Sequence, residues 1–264
     1  MRQYLTATRY TLLELARNRL ALGLLVIFVP IWFLLLGSVV PDTPVPFRFR
    51  STGAFIQANG HDIMLLTAGL NALTLIVGFL MFAATRKAAP FDRRLVLCGF
   101  TQRALILAKL TALIVASALI ALYTMAVLLA FWRPQSLALV WAGYAFSALV
   151  YGGLGILIGV LVSSETAGFF LVIMISLIDT GLQTPVENPV ANAGWLAALP
   201  AYGPTQLLVA GGFTSFVPWR EALLALAWFA GFALVGLLIF WMRTRAWNAH
   251  SRLNHPAQPA PSLA

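Results

Sequence analysis

AAPFDRRLVLCGFTQRALILAK, residues 88–109, sets how the rest of the chain is read. It is a basic, helix-like insert between two long apolar runs, in a chain otherwise almost empty of charge. Asp92 offers a helix start, and Phe91, Leu95 and Cys98 recur on one helical face. Gly99 then supplies a stop, and Thr101 a fresh start for the next helix. A plain link between two membrane helices needs none of these signals. The flanking runs read as spans, and the insert as a contact surface over about residues 91–99.

Composition agrees. Of 264 residues, 61% are hydrophobic and only 9% charged, with a mean hydropathy of +0.88. Soluble domains carry charge on about a quarter of their residues. Several apolar runs of about 20 residues can each cross a hydrocarbon layer of roughly 30 Å as a helix. The short alternating segments of a membrane barrel are missing. The expected fold is therefore all-α and integral to the membrane. One cysteine, Cys98, allows no internal disulfide, and His61, His250 and His255 are too scattered to hold a metal.

Six spans are expected, at about 20–40, 62–84, 104–131, 139–162, 167–182 and 221–242. Before them, residues 1–19 form an amphipathic helix rather than a signal peptide. Tyr4, Leu5, Thr8, Leu12, Leu15 and Ala16 fall on one side, and Arg2, Thr6, Arg9, Glu14 and Arg17 on the other. Such a helix lies flat in the headgroup layer. Pro41 to His61 reads as a breaker-rich loop, with Asp62 placed to cap the second span. Residues 183–220 interleave five prolines with apolar pieces too short to cross, such as WLAALPAYGPTQLLVAGGF, and read as re-entrant or surface helices. The tail, 248–264, is polar and Pro-rich and is expected to be disordered.

Six spans with a cytoplasmic start put thirteen of the 17 Lys and Arg inside, leaving only Arg48, Arg50, Arg133 and Arg220 outside. This bias predicts both termini in the cytoplasm of a multi-pass cell membrane, of bacterial type. It also accounts for the net charge of +9 without a nucleic-acid partner. Arg93, Arg94 and Arg103 have two readings, as topology signals touching lipid phosphates or as the rim of a docking surface. The apolar face beside them favours docking.

The chemistry of an enzyme is missing. Neither Lys87 nor Lys109 follows a glycine, so no phosphate-binding Walker loop is present. Asp179 is the one acid placed within a span, which makes it a candidate for transport or a satisfied structural group. Gly143, Ser147, Gly155 and Gly159 form a small-residue stripe in the fourth span. That stripe suits helix packing, a dimer interface or a substrate groove.

This order of parts resembles the membrane subunit of an ABC exporter of the ABC-2 permease class, over almost the whole chain. Two regions carry the resemblance. Asp92 to Cys98, then Gly99-Phe100-Thr101 and Ala108-Lys109, are similar to the family's coupling helix, polar turn and entry to the next span. Trp195 to Leu199 followed by Tyr202-Gly203-Pro204 is similar to its short Trp-containing helix and turn, with Gly203 where Asn is usual. The N-terminal helix resembles the family's connecting helix. The resemblance implies a pathway formed with a second copy or a similar permease, and cytosolic ABC ATPase subunits that bind Mg-ATP, this chain itself carrying no cofactor. Phe91, Asp92, Arg93, Arg94, Leu95, Cys98 and Gly99 would face the ATPase, with Glu14, Arg17 and Glu165 beside them. Asp179, Trp195, Tyr202 and Pro204 would stand near the pathway. The apolar, aromatic lining favours a hydrophobic or amphipathic cargo, drug-like or lipid. An ion-coupled carrier using Asp179 and a non-transporting membrane anchor remain the rival readings.

Overall fold

The structure is a computed structural model describing residues 2–188, 191, 193–214 and 216–253. It is mostly helical. In chain order come α1 (Arg2–Arg17), α2 (Arg19–Val39), β1 (Pro44–Arg48), β2 (Phe55–Asn59), α3 (Gly60–Leu97), α4 (Gln102–Leu128), α5 (Leu137–Leu161), α6 (Glu165–Gln183), a 3-10 turn (Gly194–Ala198), α7 (Tyr202–Phe213) and α8 (Trp219–Leu253). Six of these, α2 to α6 and α8, contain stretches long and apolar enough to cross a membrane.

The bundle is built around α3, whose apolar stretch is enclosed almost throughout, whereas α2 and α8 leave most of theirs exposed. Helices α3 and α5 pack backbone to backbone. A Cβ added at Gly155 would lie 2.3 Å from the Gly78 carbonyl oxygen, and one at Gly159 would lie 3.1 Å from the Phe82 carbonyl oxygen. Glycine alone permits backbone contact of this kind. The core around it includes Leu65, Leu73, Val77, Leu113 and Tyr144, all buried.

Several expectations are corrected. The second span and the insert after it form one 38-residue helix, about 57 Å long at 1.5 Å per residue. Pro90 sits inside it. Its ring removes one backbone donor, at a cost of about 3 kcal/mol, but the contacts of the following turns hold the helix together. Asp92 therefore caps nothing. At the other end Asn59, not Asp62, is the N-cap, its side chain accepting from the His61 N–H at 3.1 Å. The expected disordered tail begins as helix, because α8 continues to Leu253. Residues 254–264 lie outside the described residues.

The all-α expectation also misses a β-hairpin. β1 and β2 pair antiparallel, from Pro44 opposite Asn59 to Arg48 opposite Phe55. Gly53, with φ +74°, sits in the turn, a left-handed conformation that glycine adopts without strain. Pro44 and Pro46 are tolerated because both strands of a two-stranded sheet are edges. Phe47 and Phe49 are buried, in a cluster with Ile63, Val209 and Ala210. The hairpin thus lies over α7, which is buried along almost all of its 12 residues.

Gly155→Ala places a methyl group against the Gly78 backbone and is expected to lower the thermal midpoint of the detergent-solubilised protein by several degrees, as overpacking of about 1–3 kcal/mol requires. Gly231→Ala in α8, where a Cβ meets nothing within 4 Å, is the matched control and should be neutral or slightly stabilising.

Candidate functional site

Two groups of residues stand out, at opposite ends of α3. The first surrounds the turn between α3 and α4. Past Arg86, α3 leaves the apolar bundle as an arm that ends at Leu97. Its stop is a two-bond cap. The Phe100 N–H donates to the Leu95 carbonyl at 3.0 Å, the Gly99 N–H donates to the Val96 carbonyl at 3.1 Å, and Gly99 has φ +87°. That left-handed residue is what a Schellman ending requires.

The arm is braced from two sides. Asp92 is buried and forms an ion pair with Lys109 of α4. Helix α1 packs over the turn through Ala7, which clusters with Leu105, Ala108, Leu95 and Phe100. Tyr4 and Thr111 hydroxyls are hydrogen-bonded at 2.8 Å, and Thr101 donates to Gln3 at 3.1 Å. The Thr101 hydroxyl is thus spent on α1 and makes no cap bond to α4. Nor does α1 lie wholly on lipid, since one side of it covers α4.

These contacts change the expected face. Leu95 turns inward to α1, while Phe91 is 63% and Leu97 71% exposed. Leu97, which the sequence reading missed, replaces Leu95 in the outward set with Phe91, Arg94 and Cys98. The Arg93 side chain lies outside the described residues. Arg86 donates to the Val162 carbonyl, tying the base of the arm to the end of α5. Glu14 and Arg17 line an open cleft between α1 and the arm. Glu165 is exposed in the first turn of α6, whose N-cap Ser164 accepts from the Ala167 N–H at 3.3 Å.

The second group is a polar seam between α3 and α6. Thr67, Asn71 and Thr74 recur along one face of α3, opposite Thr184, Thr180 and Ser176. Thr67 and Thr184 pair at 3.3 Å, Thr180 donates to Asn71, and Thr74 and Ser176 pair at 2.6 Å. Spacings of three and four residues place such groups on one helical face, so the antiparallel helices meet rung by rung. The spacing of Thr67, Asn71 and Thr74 is a signal that the sequence carries and our reading of it passed over; which helix lies opposite is not in it.

Asp179 stands beside the seam, buried. One of its carboxylate oxygens accepts from the Tyr151 hydroxyl at 2.6 Å and from the Ala201 N–H at 2.9 Å. Ala201 immediately precedes α7, so the acid joins α5, α6 and the start of α7. Gln183 donates to the Leu196 carbonyl at 3.1 Å, fastening the 3-10 turn. Tyr202 and Pro204 are buried in the first turn of α7, and the Arg50 guanidinium lies 5.1 Å from the Tyr202 ring centroid. Trp195 is exposed. Near this end the Glu187 carboxyl packs by Gly181, and partial burial pushes its pKa upward.

The small-residue stripe of α5 is used inside the chain. Gly143 meets Leu208 of α7, Gly155 meets α3, Gly159 meets Thr85, and Ser147 is buried. Among the described residues no group of three His, Cys, Asp or Glu is placed to hold a metal. Comparison with known families and with curated proteins gives no match for the chain.

Two outcomes follow from this geometry. Asp179→Ala leaves the Tyr151 hydroxyl and the Ala201 N–H without their acceptor and should destabilise the protein by about 2–4 kcal/mol, more than Asp179→Asn, as read by thermal unfolding in detergent. Cys98, the single cysteine and exposed, should react with a membrane-impermeant maleimide in inside-out vesicles and not in intact cells. Labelling of intact cells would reverse the expected orientation.

Proposed function

We propose that this chain is the permease subunit of an ATP-driven ABC exporter of the ABC-2 class. In this reading both termini and the α3 arm are cytoplasmic, and the energy comes from separate ATPase subunits that bind Mg-ATP. The observation that carries it is the arm itself. A 38-residue α3 exceeds what roughly 30 Å of hydrocarbon requires by several turns. The excess is rigidly capped and braced, and it presents Phe91, Arg94, Leu97 and Cys98 outward. Exposed apolar side chains beside a cation form the anatomy of a small protein interface, with an apolar centre and a charged rim.

The bracing supports force transmission. A push on the arm reaches α4 through the Asp92–Lys109 pair, α5 through Arg86 and α1 through the cluster around Ala7. On the far side of the bundle, α3 holds α6 by the seam. Hydrogen bonds between membrane helices contribute only about 0.6 kcal/mol each, so α3 and α6 can part without large cost. Their separation would expose hydroxyl and amide groups along an otherwise apolar bundle, a lining suited to an amphipathic cargo. The exposed faces of α2 and α8 leave room for a second copy or a similar permease, and for lipid. Two donors within the fold hold one oxygen of Asp179, which gives it a structural role; its buried, unpartnered Oδ1 is what an ion-coupling role would use.

The test is purification of the tagged chain from its native membrane with mass identification of partners. An ABC ATPase should copurify, and Leu97→Glu with Arg94→Glu should reduce its recovery about tenfold or more while the permease stays folded. Absence of an ATPase, together with proton-driven transport lost in Asp179→Asn, would establish a carrier instead.

A further inference from the structure

The cleft between α1 and the α3 arm shares Phe91 with the outward face of the arm and is otherwise separate from it. It is open, about 1030 Å³ in volume, and its walls include Tyr10, Leu13, Met81, Ala84, Phe91 and Phe100. Arg17, Arg19 and Lys87 stand along it. All three are exposed, and none forms an ion pair among the described residues. Of the other charges along the cleft, Asp92 and Lys109 neutralise each other, leaving Glu14 against three cations.

The depth of these cations is set by the helices that carry them. Arg17 ends α1 and Arg19 begins α2, so both mark the start of the first span. Lys87 follows the apolar part of α3. A bilayer crossed by the apolar parts of α2 and α3 would keep its phosphates at the level of all three. A second, wholly apolar groove of about 220 Å³ runs deeper, between α2, α3 and α4, past Leu22, Leu25, Ile76, Leu80, Ala116 and Leu119. Leu15 lines both spaces. A cationic mouth thus adjoins a narrow apolar slot entering the span, with room for part of one acyl chain.

We propose that this composite cleft is a binding site for one anionic phospholipid of the leaflet that faces α1, its phosphate beside Arg17, Arg19 and Lys87 and one acyl chain in the groove at Leu80 and Ala116. Charge complementarity selects the occupant. A zwitterionic lipid brings its own cation to a mouth that already has an excess, and an anionic headgroup does not. A seated lipid would wedge α1 against the base of the arm and so link membrane composition to the position of the α3–α4 turn. The site does not depend on an ATPase partner.

Native mass spectrometry of the full chain, released from phosphatidylcholine nanodiscs doped with phosphatidylglycerol, tests this. The wild type should retain one phosphatidylglycerol per chain in preference to phosphatidylcholine. Arg17→Gln with Lys87→Gln should lower that retention by about fivefold for each charge removed. Ala116→Phe, which fills the groove, should lower it with the cations intact. Arg103→Gln, a cation outside the cleft, should leave it unchanged, and inorganic phosphate should not displace the lipid. Equal retention of phosphatidylcholine, an unchanged Arg17/Lys87 double variant, an equal loss in Arg103→Gln, or displacement by phosphate would each overturn the proposal. If the double variant keeps its lipid and instead loses a copurifying ATPase, the cleft belongs to a protein interface and the lipid site is refuted.

Discussion

The backbone contact between Gly78 of α3 and Gly155 of α5 is the constraint on which the other helices depend. Inside a membrane, helices gain little from burying apolar surface against one another, because lipid is equally apolar. Close packing and internal hydrogen bonds must do the work instead. Gly143, Gly152, Gly155 and Gly159 let α5 approach α7, α4 and α3. With α3 and α5 fixed, the remaining spans have a rigid pair to lean on.

The second consequence concerns polar groups. Hydrocarbon offers them no partner, so a buried hydroxyl, amide or acid must be satisfied within the chain. The α3–α6 seam obeys that rule, whereas Asp179 meets it at one carboxylate oxygen only, its Oδ1 being buried without a hydrogen-bond partner. The seam is a series of weak bonds between two helices and can open. Asp179, holding Tyr151 and the start of α7 at once, is a junction whose loss strands buried donors. The first arrangement suits motion and the second suits a fixed anchor for the hairpin end.

At the other end the same economy of charge is visible. Asp92 is removed from the surface by Lys109, and Arg86 by a backbone carbonyl, leaving the arm with an outward face that combines apolar side chains and Arg94. The cleft behind it keeps its cations exposed. One feature of α3, its continuation past the bundle, therefore creates both a protruding surface and a sheltered one.

Much of this was legible in the chain. Hydropathy and length alone specify six spans, because crossing hydrocarbon needs a long apolar helix whatever its neighbours are. Gly99 announced its left-handed stop, since that conformation penalises other residues. The hairpin was hidden because Pro44 and Pro46 read as breakers, and their tolerance depends on edges that exist only once β1 meets β2. The single α3 helix was hidden because Pro90 and Asp92 look like a boundary, and only Lys109, seventeen positions along in a different helix, makes Asp92 a buried partner instead of a cap. Leu95 and Leu97 exchanged roles for the same reason: periodicity shows which residues share a face, but α1 decides which face is covered. How many helices can cross, and where charge must stay outside the apolar layer, follow from local composition. Which faces meet, which polar groups pair and which surfaces stay open depend on residues that come together only after the helices pack.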